Sequence, residues 1–235
     1  MKNLIVLVFL PVLSFFAATA YAQQVSPAAY YTDEDGYEVE STSIDDGQAP
    51  LSVTFKANPS DMGAYTPVFE WHFRKQSEGG GWTDILTRYE EDTQYTFRES
   101  GNYIVVLKTH LHSGTDVDEL DSVSITVAIA ESKLEMPNAF SPNGDGINDI
   151  YKAKEGHKSI VEFRAYIFSR WGQKLYEWDD INGGWDGTYK GRKVKDGVYF
   201  VLVKAKGADG KEYDIKRDVN LLRGFTEAQG TSTTP

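Results

Sequence analysis

Glu99-Ser100-Gly101-Asn102-Tyr103-Ile104-Val105-Val106-Leu107 decides how this chain folds. A glycine two residues before a tyrosine, followed by a β-branched run, predicts a tight turn that opens into a strand. In that layout the tyrosine hydroxyl turns back to the backbone upstream and pins the corner between two strands. The flanking sequence agrees. Leu51, Val53 and Phe55 alternate with Ser52, Thr54 and Lys56, and Phe69, Trp71 and Phe73 alternate with Val68, Glu70 and His72. Period two is the signature of a half-buried strand. Glu78-Gly79-Gly80-Gly81 reads as a loop before Trp82, Tyr95 to Phe97 as a short strand, and Ser122 to Ile129 as a last one with Val123, Ile125 and Val127 on one face. Short strands spaced by turn signals predict a β-sandwich over 49–130.

The same device recurs further on. Asp196-Gly197-Val198-Tyr199-Phe200-Val201 mirrors Ser100 to Val105, and Trp185 precedes it as Trp82 precedes the first. The fold class expected is therefore all-β, with two immunoglobulin-like sandwiches in series, 49–130 and 137–225, joined by a linker at 131–136. Before them, 23–48 carries Asp33, Glu34, Asp35, Glu38, Glu40, Asp45 and Asp46 with no base among them. Acidic runs generally stay in water, so this stretch reads as a solvated leader with one edge strand at 37–42. A cation site or a partner-binding arm is the other reading.

The N-terminus has the three parts of a secretory signal. Met1-Lys2-Asn3 is a short basic start, Leu4 to Phe16 is almost wholly apolar, and Ala20-Tyr21-Ala22 fits an A-x-A site. Cleavage is expected between Ala22 and Gln23. The apolar run is shorter than the about 18–20 residues that span a bilayer, and Pro11 interrupts it. No membrane span is expected after cleavage. Loss of 1–22 removes one lysine and moves the net charge from −11 to −12. Such an acidic chain repels phosphate backbones and anionic lipid heads, which disfavours nucleic-acid and membrane-surface binding, so no nucleic-acid partner is expected. With no cysteine, disulfides and thiol chemistry are excluded, and packed cores must supply stability.

Candidate sites are few. Asn143, Asp145 and Asp149 place side-chain oxygens at spaced positions of a loop with Gly144 and Gly146, as a calcium shell of oxygens requires. EF-hand spacing fails, since Lys154 falls where the bidentate Glu belongs. Asx turns bonded to their own backbone are the preferred reading. Arg170 and Trp171 form a potential stacking pair, but apolar neighbours Ile167 and Phe168 favour a core position for the indole. His110 and His112 share a strand face, and Glu119 or Asp121 would have to complete any zinc site. No hydrolase, zinc-protease or phosphate-loop motif occurs, so no cofactor and no enzymatic activity are expected.

Two resemblances extend this reading. Ala49–Phe55 (APLSVTF), Phe69–Phe73 (FEWHF) and Ser100–Leu107 (SGNYIVVL) together resemble the PKD-type branch of immunoglobulin-like domains. The acidic turn that follows the tryptophan in that family is replaced here by His72-Phe73-Arg74-Lys75, so no ligand role attached to it transfers. Pro137–Asn148 (PNAFSPNGDGIN), Ile167–Gln173 (IFSRWGQ), Gly183–Gly191 (GGWDGTYKG) and Asp196–Val203 (DGVYFVLV) resemble, in order, the type B C-terminal sorting domain of the type IX secretion system of Bacteroidetes. That resemblance implies a protein exported through the periplasm to the cell surface or the medium, with the translocon as partner. It implies recognition through Pro142, Asn143, Gly144, Asp145, Gly146, Asn148 and Asp149, through Arg170, Trp171 and Gly172, through Trp185, Asp186 and Gly187, and through Asp196, Gly197, Tyr199 and Arg223. Ser169 and Lys195 depart from the family's Asn and Pro, and a polar tail, 226–235, follows the final arginine. The PKD-like domain is then the passenger, a structural or adhesive module for an unknown protein or glycan. A carbohydrate- or calcium-binding module and a periplasmic scaffold are the alternatives.

Overall fold

The computed structural model describes residues 22–33 and 35–224; the expected signal peptide, Ala22 apart, and the tail at 226–235 lie outside them. Among the described residues every regular element is a strand. The first domain comprises β1 (Gln24–Val25), β2 (Ala28–Thr32), β3 (Glu38–Ser41), β4 (Ser43–Gly47), β5 (Leu51–Lys56), β6 (Pro59–Ser60), β7 (Thr66–Gln76), β8 (Trp82–Arg88), β9 (Asp92–Phe97), β10 (Gly101–Ser113) and β11 (Asp116–Ile129). Two sheets face each other, in the orders β3-β2-β5-β9 and β4-β11-β10-β7-β8, and β1 pairs with β6. The alternation read from sequence sets the inward faces. Val53 and Phe55 on β5, Phe69, Trp71 and Phe73 on β7, and Tyr103, Val105 and Leu107 on β10 are buried together, while their neighbours point outward.

The tyrosine corner is formed. Tyr103 Oη donates to the Glu99 carbonyl at 2.8 Å, and its ring meets Phe97 edge-on at 4.8 Å. Trp71 reaches this corner through a relay of rings, Phe55 at 6.0 Å and then Phe97, rather than by direct contact. Its indole N–H is shared between the Glu90 and Glu91 carbonyls, as a fully buried donor requires.

The acidic segment expected as a leader is instead part of this sandwich. Ala29 on β2 pairs with Phe55 on β5, and β4 runs parallel to β11 with Ile44 opposite Val127. The reason is that apolar residues are interleaved among the acids. Val25, Ala28, Ala29 and Ile44 fill the core, while Glu38, Glu40, Asp45 and Asp46 are exposed.

The second domain has β12 (Ala139–Phe140), β13 (Ile160–Phe168), β14 (Lys174–Trp178), β15 (Thr188–Tyr189), β16 (Arg192–Lys193), β17 (Gly197–Gly207) and β18 (Glu212–Leu221). Five of them form one sheet, β12-β18-β17-β13-β14, and β15-β16 is a separate hairpin. The opposing layer is that hairpin together with irregular chain. Its Tyr151, Ala153 and Trp185, together with Phe140 of β12, pack on Ala165, Ile167, Val201, Val203, Val219 and Leu221 of the sheet.

The segment expected as a linker is built into the second domain, because Leu134 and Met136 are apolar and join its core. Lys133 bridges to Lys158, and Ser132 Oγ donates to the Asp209 carboxylate and meets Tyr213 Oη at 2.9 Å. The domains also touch directly. Ala208, from the turn after β17, sits in the first domain's core, its carbonyl accepting from Ser100 N–H at 3.0 Å, while Ala49 N–H donates to Ser159 Oγ at 3.2 Å. The junction therefore lies at the Ile160 end of β13, and the Phe168 end points away from it.

Candidate functional site at the free end of the second domain

Arg223, two residues past β18, gathers the free end of the domain. Its Nη1 donates to the Val194 carbonyl at 2.6 Å and to Asp196 Oδ1 at 2.7 Å, and Nη2 donates to the Gly187 carbonyl at 2.9 Å. Its backbone N–H donates to Asp196 Oδ2 at 2.9 Å. The side chain is 18% exposed, and a planar fork with fixed donors suits this three-way hold better than an ammonium would. Gly187 has φ +76°, and a Cβ there would meet Arg223 Nη2 and Pro142 Cγ, each at 3.0 Å. Glycine is thus required both by the turn and by the close approach.

Beneath Arg223 lies Trp185, 0% exposed. Its Nε1 donates to the Thr188 carbonyl at 2.7 Å, its backbone exchanges hydrogen bonds with Tyr151, and its ring meets Tyr199 at 5.1 Å and Phe140 at 5.4 Å. Tyr199 Oη donates to the Lys195 carbonyl at 2.6 Å, a second tyrosine corner with the four-residue reach of the first. Asp186 accepts from the backbone N–H and the hydroxyl of Thr188. Tyr151 donates to the Pro137 carbonyl at 3.0 Å, and burial pushes its hydroxyl pKa up. The predicted equivalence of Trp82 and Trp185 does not hold. Trp82 opens the edge strand β8 and is 46% exposed, since β8 has only β7 beside it.

The loop at 141–149 is an Asx-turn nest. Asp149 Oδ1 accepts from Gly144 N–H at 2.7 Å and Oδ2 from Gly146 N–H at 2.8 Å. Those backbone donors, Gly144 first, hold its carboxyl below the ordinary aspartate value. Asp145 Oδ1 accepts from Ile147 N–H and Oδ2 from Asn143 Nδ2, while Asn143 Oδ1 accepts from Asp145 N–H. Asn148 adopts φ +53°, and its carbonyl accepts from Ser141 N–H. The side-chain oxygens proposed as a calcium shell thus each serve the loop's own donors. Among the described residues no group of three or more His, Asp or Glu side chains could hold a metal ion. His110 lies near Glu70 at 3.8 Å on an outer strand face, and His72 Nε2 is 3.1 Å from the same carboxylate. A shallow cleft of about 220 Å³ runs between the loop and the chain end, lined by Ala139, Phe140, Ile147 and Leu222 among others.

Trp171 is a correction. The expected core position is not taken; the indole is 81% exposed at the apex of the turn after β13, with the Arg170 guanidinium 4.6 Å from its ring centroid. The inward alternation of β13 ends at Ile167, and Ser169 N–H closes the turn onto the Gln173 carbonyl, carrying Arg170 to Gly172 off the sheet. Gln173 Nε2 donates to Tyr189 Oη at 3.1 Å and ties this turn to the β15-β16 hairpin. Pro142, Trp185 to Gly187, Asp196 to Tyr199 and Arg223 are thus brought together, and the 143–149 loop and the Arg170 turn flank them at the same end. Phe140 and Thr188, inside the quoted motifs, and Val194 and Tyr151, outside them, complete the arrangement. The assembly fixes the shape of an end surface.

Residues 134–217 match the family model described as the CHU_C type IX secretion signal domain. The matched segment starts inside the expected linker and stops before Arg223. No curated protein matches the chain. Among solved structures the chain is similar to dimeric latent PorU from Porphyromonas gingivalis, at TM-score 0.26 and 10% identity over 85% of this chain and 20% of that one. It is similar to a tetra-tandem repeat in the extending region of a large adhesion protein, at TM-score 0.28 and 12% identity over 86% of this chain and 68% of that one. It is also similar to the FN1-FN3 domains of chicken CNTN1, at TM-score 0.24 and 12% identity over 80% and 77%. The chain spans about a fifth of the PorU chain.

Proposed function

We propose that this protein is exported across the outer membrane by the type IX system, that the translocon reads the free end of its second domain, and that the first sandwich is a non-enzymatic passenger working at the cell surface or in the medium. The family match of residues 134–217 supports the export step. The observation that carries the reading of the end surface is its convergence. Motif residues spread from Pro142 to Arg223 meet around one guanidinium. A folded end of this kind is recognised only when the whole domain is assembled, which suits an address read after folding. The passenger's polar clusters, such as Glu70 with His72 and His110, stand on strand faces rather than in clefts, and this supports a binding or spacing role over catalysis.

The test is export of the full chain, carrying an epitope in the exposed 78–81 loop, from a Bacteroidetes host with a working type IX system and from its translocon mutant. Epitope at the surface or in the medium of the competent host alone is expected. Intact, folded protein held in the periplasm of both would overturn the reading and leave a periplasmic scaffold. One observation favours a glycan ligand for the passenger: Trp82 is half exposed at a sheet edge, where an indole face can stack on a sugar ring. A glycan array that gives signal with the native chain and none with Trp82→Ala would establish it.

A further inference from the structure

Charge is divided unevenly along this chain. Residues 23–136 hold seven Lys and Arg against twenty-one Asp and Glu, whereas 137–224 hold sixteen against thirteen. Five exposed cations of the second domain lie at the end farthest from the junction. β13 leaves the junction at Ile160 and ends at Phe168, so the turn beyond it carries Arg170 and Trp171 to that far end. The Gln173 to Tyr189 hydrogen bond holds the β15-β16 hairpin alongside. Lys190, Arg192, Lys193 and Lys195, on the hairpin and its exit, are all exposed. The carboxylates at this end are each held by the domain itself, Asp186 by Thr188, Asp196 by Arg223, and Asp149 and Asp145 by backbone N–H groups of the 141–149 loop. At the apex stands Trp171, the most exposed large apolar side chain among the described residues.

We propose that this end is a membrane-docking surface. Trp171 lodges at the headgroup level of an anionic bilayer, and Arg170, Lys190, Arg192, Lys193 and Lys195 face the lipid phosphates. An indole is amphipathic and favours the membrane–water interface, where its ring is half immersed and its N–H stays hydrated. Clustered Lys and Arg beside it are attracted to anionic headgroups over about a Debye length. Among the described residues no helix is long and apolar enough to cross a membrane, so contact of this kind is peripheral. Net charge alone disfavours a membrane surface, but the acidic surplus resides in the first domain, which the same field turns away from the lipid. An acidic protein would satisfy the cations equally well; the projecting indole at a turn apex is what favours a headgroup layer.

The experiment is flotation of the purified chain, lacking residues 1–22, with vesicles of phosphatidylcholine alone and of phosphatidylcholine mixed with phosphatidylglycerol. Binding to the mixed vesicles only, weakening as salt is raised, is expected. Replacing Lys190, Arg192, Lys193 and Lys195 by Gln lowers the partition coefficient about a thousandfold. Trp171→Ala lowers it about tenfold and abolishes the blue shift of tryptophan emission on binding. All five side chains are exposed, so unfolding curves of the variants match the parent, which separates lost docking from lost folding. Equal partition to both vesicle types, absence of binding, or undiminished binding by either variant overturns the proposal. So does displacement by inorganic phosphate at constant ionic strength, which would assign the cations to a soluble anion. No translocon enters the assay, so its outcome is independent of the export reading.

Discussion

Arg223 and Asp196 are joined twice. The guanidinium donates to Oδ1 at 2.7 Å, and the Arg223 backbone N–H donates to Oδ2 at 2.9 Å. The carboxylate therefore fixes both the side chain and the chain direction of the residue that closes the domain. The pair is half exposed on the aspartate side, so its charge term is screened, and the larger contribution comes from the Val194 and Gly187 carbonyls that the same guanidinium satisfies. Arg223→Lys keeps the charge and loses the fork. A loss of about 1–3 kcal/mol in chemical denaturation is expected, with export falling in parallel. Asp196→Asn, which keeps the shape of the acceptor, costs less. Equal stability of Arg223→Lys and the parent would show that the fork is not what holds this end.

The two tyrosine corners differ in burial, and this makes them a controlled pair. Tyr103 is buried and its acceptor is the Glu99 carbonyl; Tyr199 is part exposed and its acceptor is the Lys195 carbonyl. Removing a hydroxyl leaves a carbonyl unpaired, and that penalty grows as water is excluded. Tyr103→Phe should destabilise by about 1–2 kcal/mol and Tyr199→Phe by less, read from thermal or urea unfolding of each variant. The reverse order would mean that the corner in the second domain is the more tightly packed.

What could be read from the sequence depended on how far apart the cooperating residues lie. Period-two alternation at 51–56 and 68–73, and the Gly-x-Tyr corner at 101–103, are local, so they identified the first sandwich directly. The leader misread as solvated chain shows the limit of a charge count. Its acids mask the inward positions of Ala29 and Ile44, whose partners Phe55 and Val127 lie elsewhere in the chain. Trp171 failed for a related reason, since apolar neighbours signal burial only while the strand continues, and the strand stops at Phe168. The ring of motifs around Arg223 was nameable by resemblance alone. Its geometry needs contacts across 27 and 36 residues, which no periodicity encodes.

Gly207 lies next to the contact between the domains, one residue before Ala208. A Cβ there would come within 2.1 Å of Ser132 Oγ and 2.4 Å of Asp209 Oδ1, far inside van der Waals contact. Ser132 also anchors the segment entering the second domain, and the adjacent Ala208 is the residue buried in the first. Gly207→Ala should therefore push these elements apart, at a cost of about 1–3 kcal/mol or more. It should also convert the unfolding of the two domains from one transition into two. Calorimetry distinguishes the outcomes. A single, unshifted transition would show that the junction accommodates the methyl group and that the contact does not couple the domains.

Asp149 carries the pH dependence of the 141–149 loop. Its carboxylate accepts the Gly144 and Gly146 N–H groups, and these bonds, which exist only in the folded chain, depress its pKa. A group depressed on folding stabilises fully above its unfolded value and loses that contribution as pH falls through the folded value. The loop should accordingly be held at neutral pH and loosen from about pH 4 downward. Asp149→Asn removes the charge at every pH, so the stability difference between parent and variant should be largest near neutrality and shrink toward acid. Carbon NMR of the Asp149 carboxyl should give a midpoint below that of an exposed aspartate. A calorimetric titration with calcium tests the competing use of the same oxygens. Cation binding would have to displace the two glycine N–H donors, so measurable heat together with perturbed Gly144 and Gly146 amide signals would reassign this loop from a self-bonded turn to a metal site.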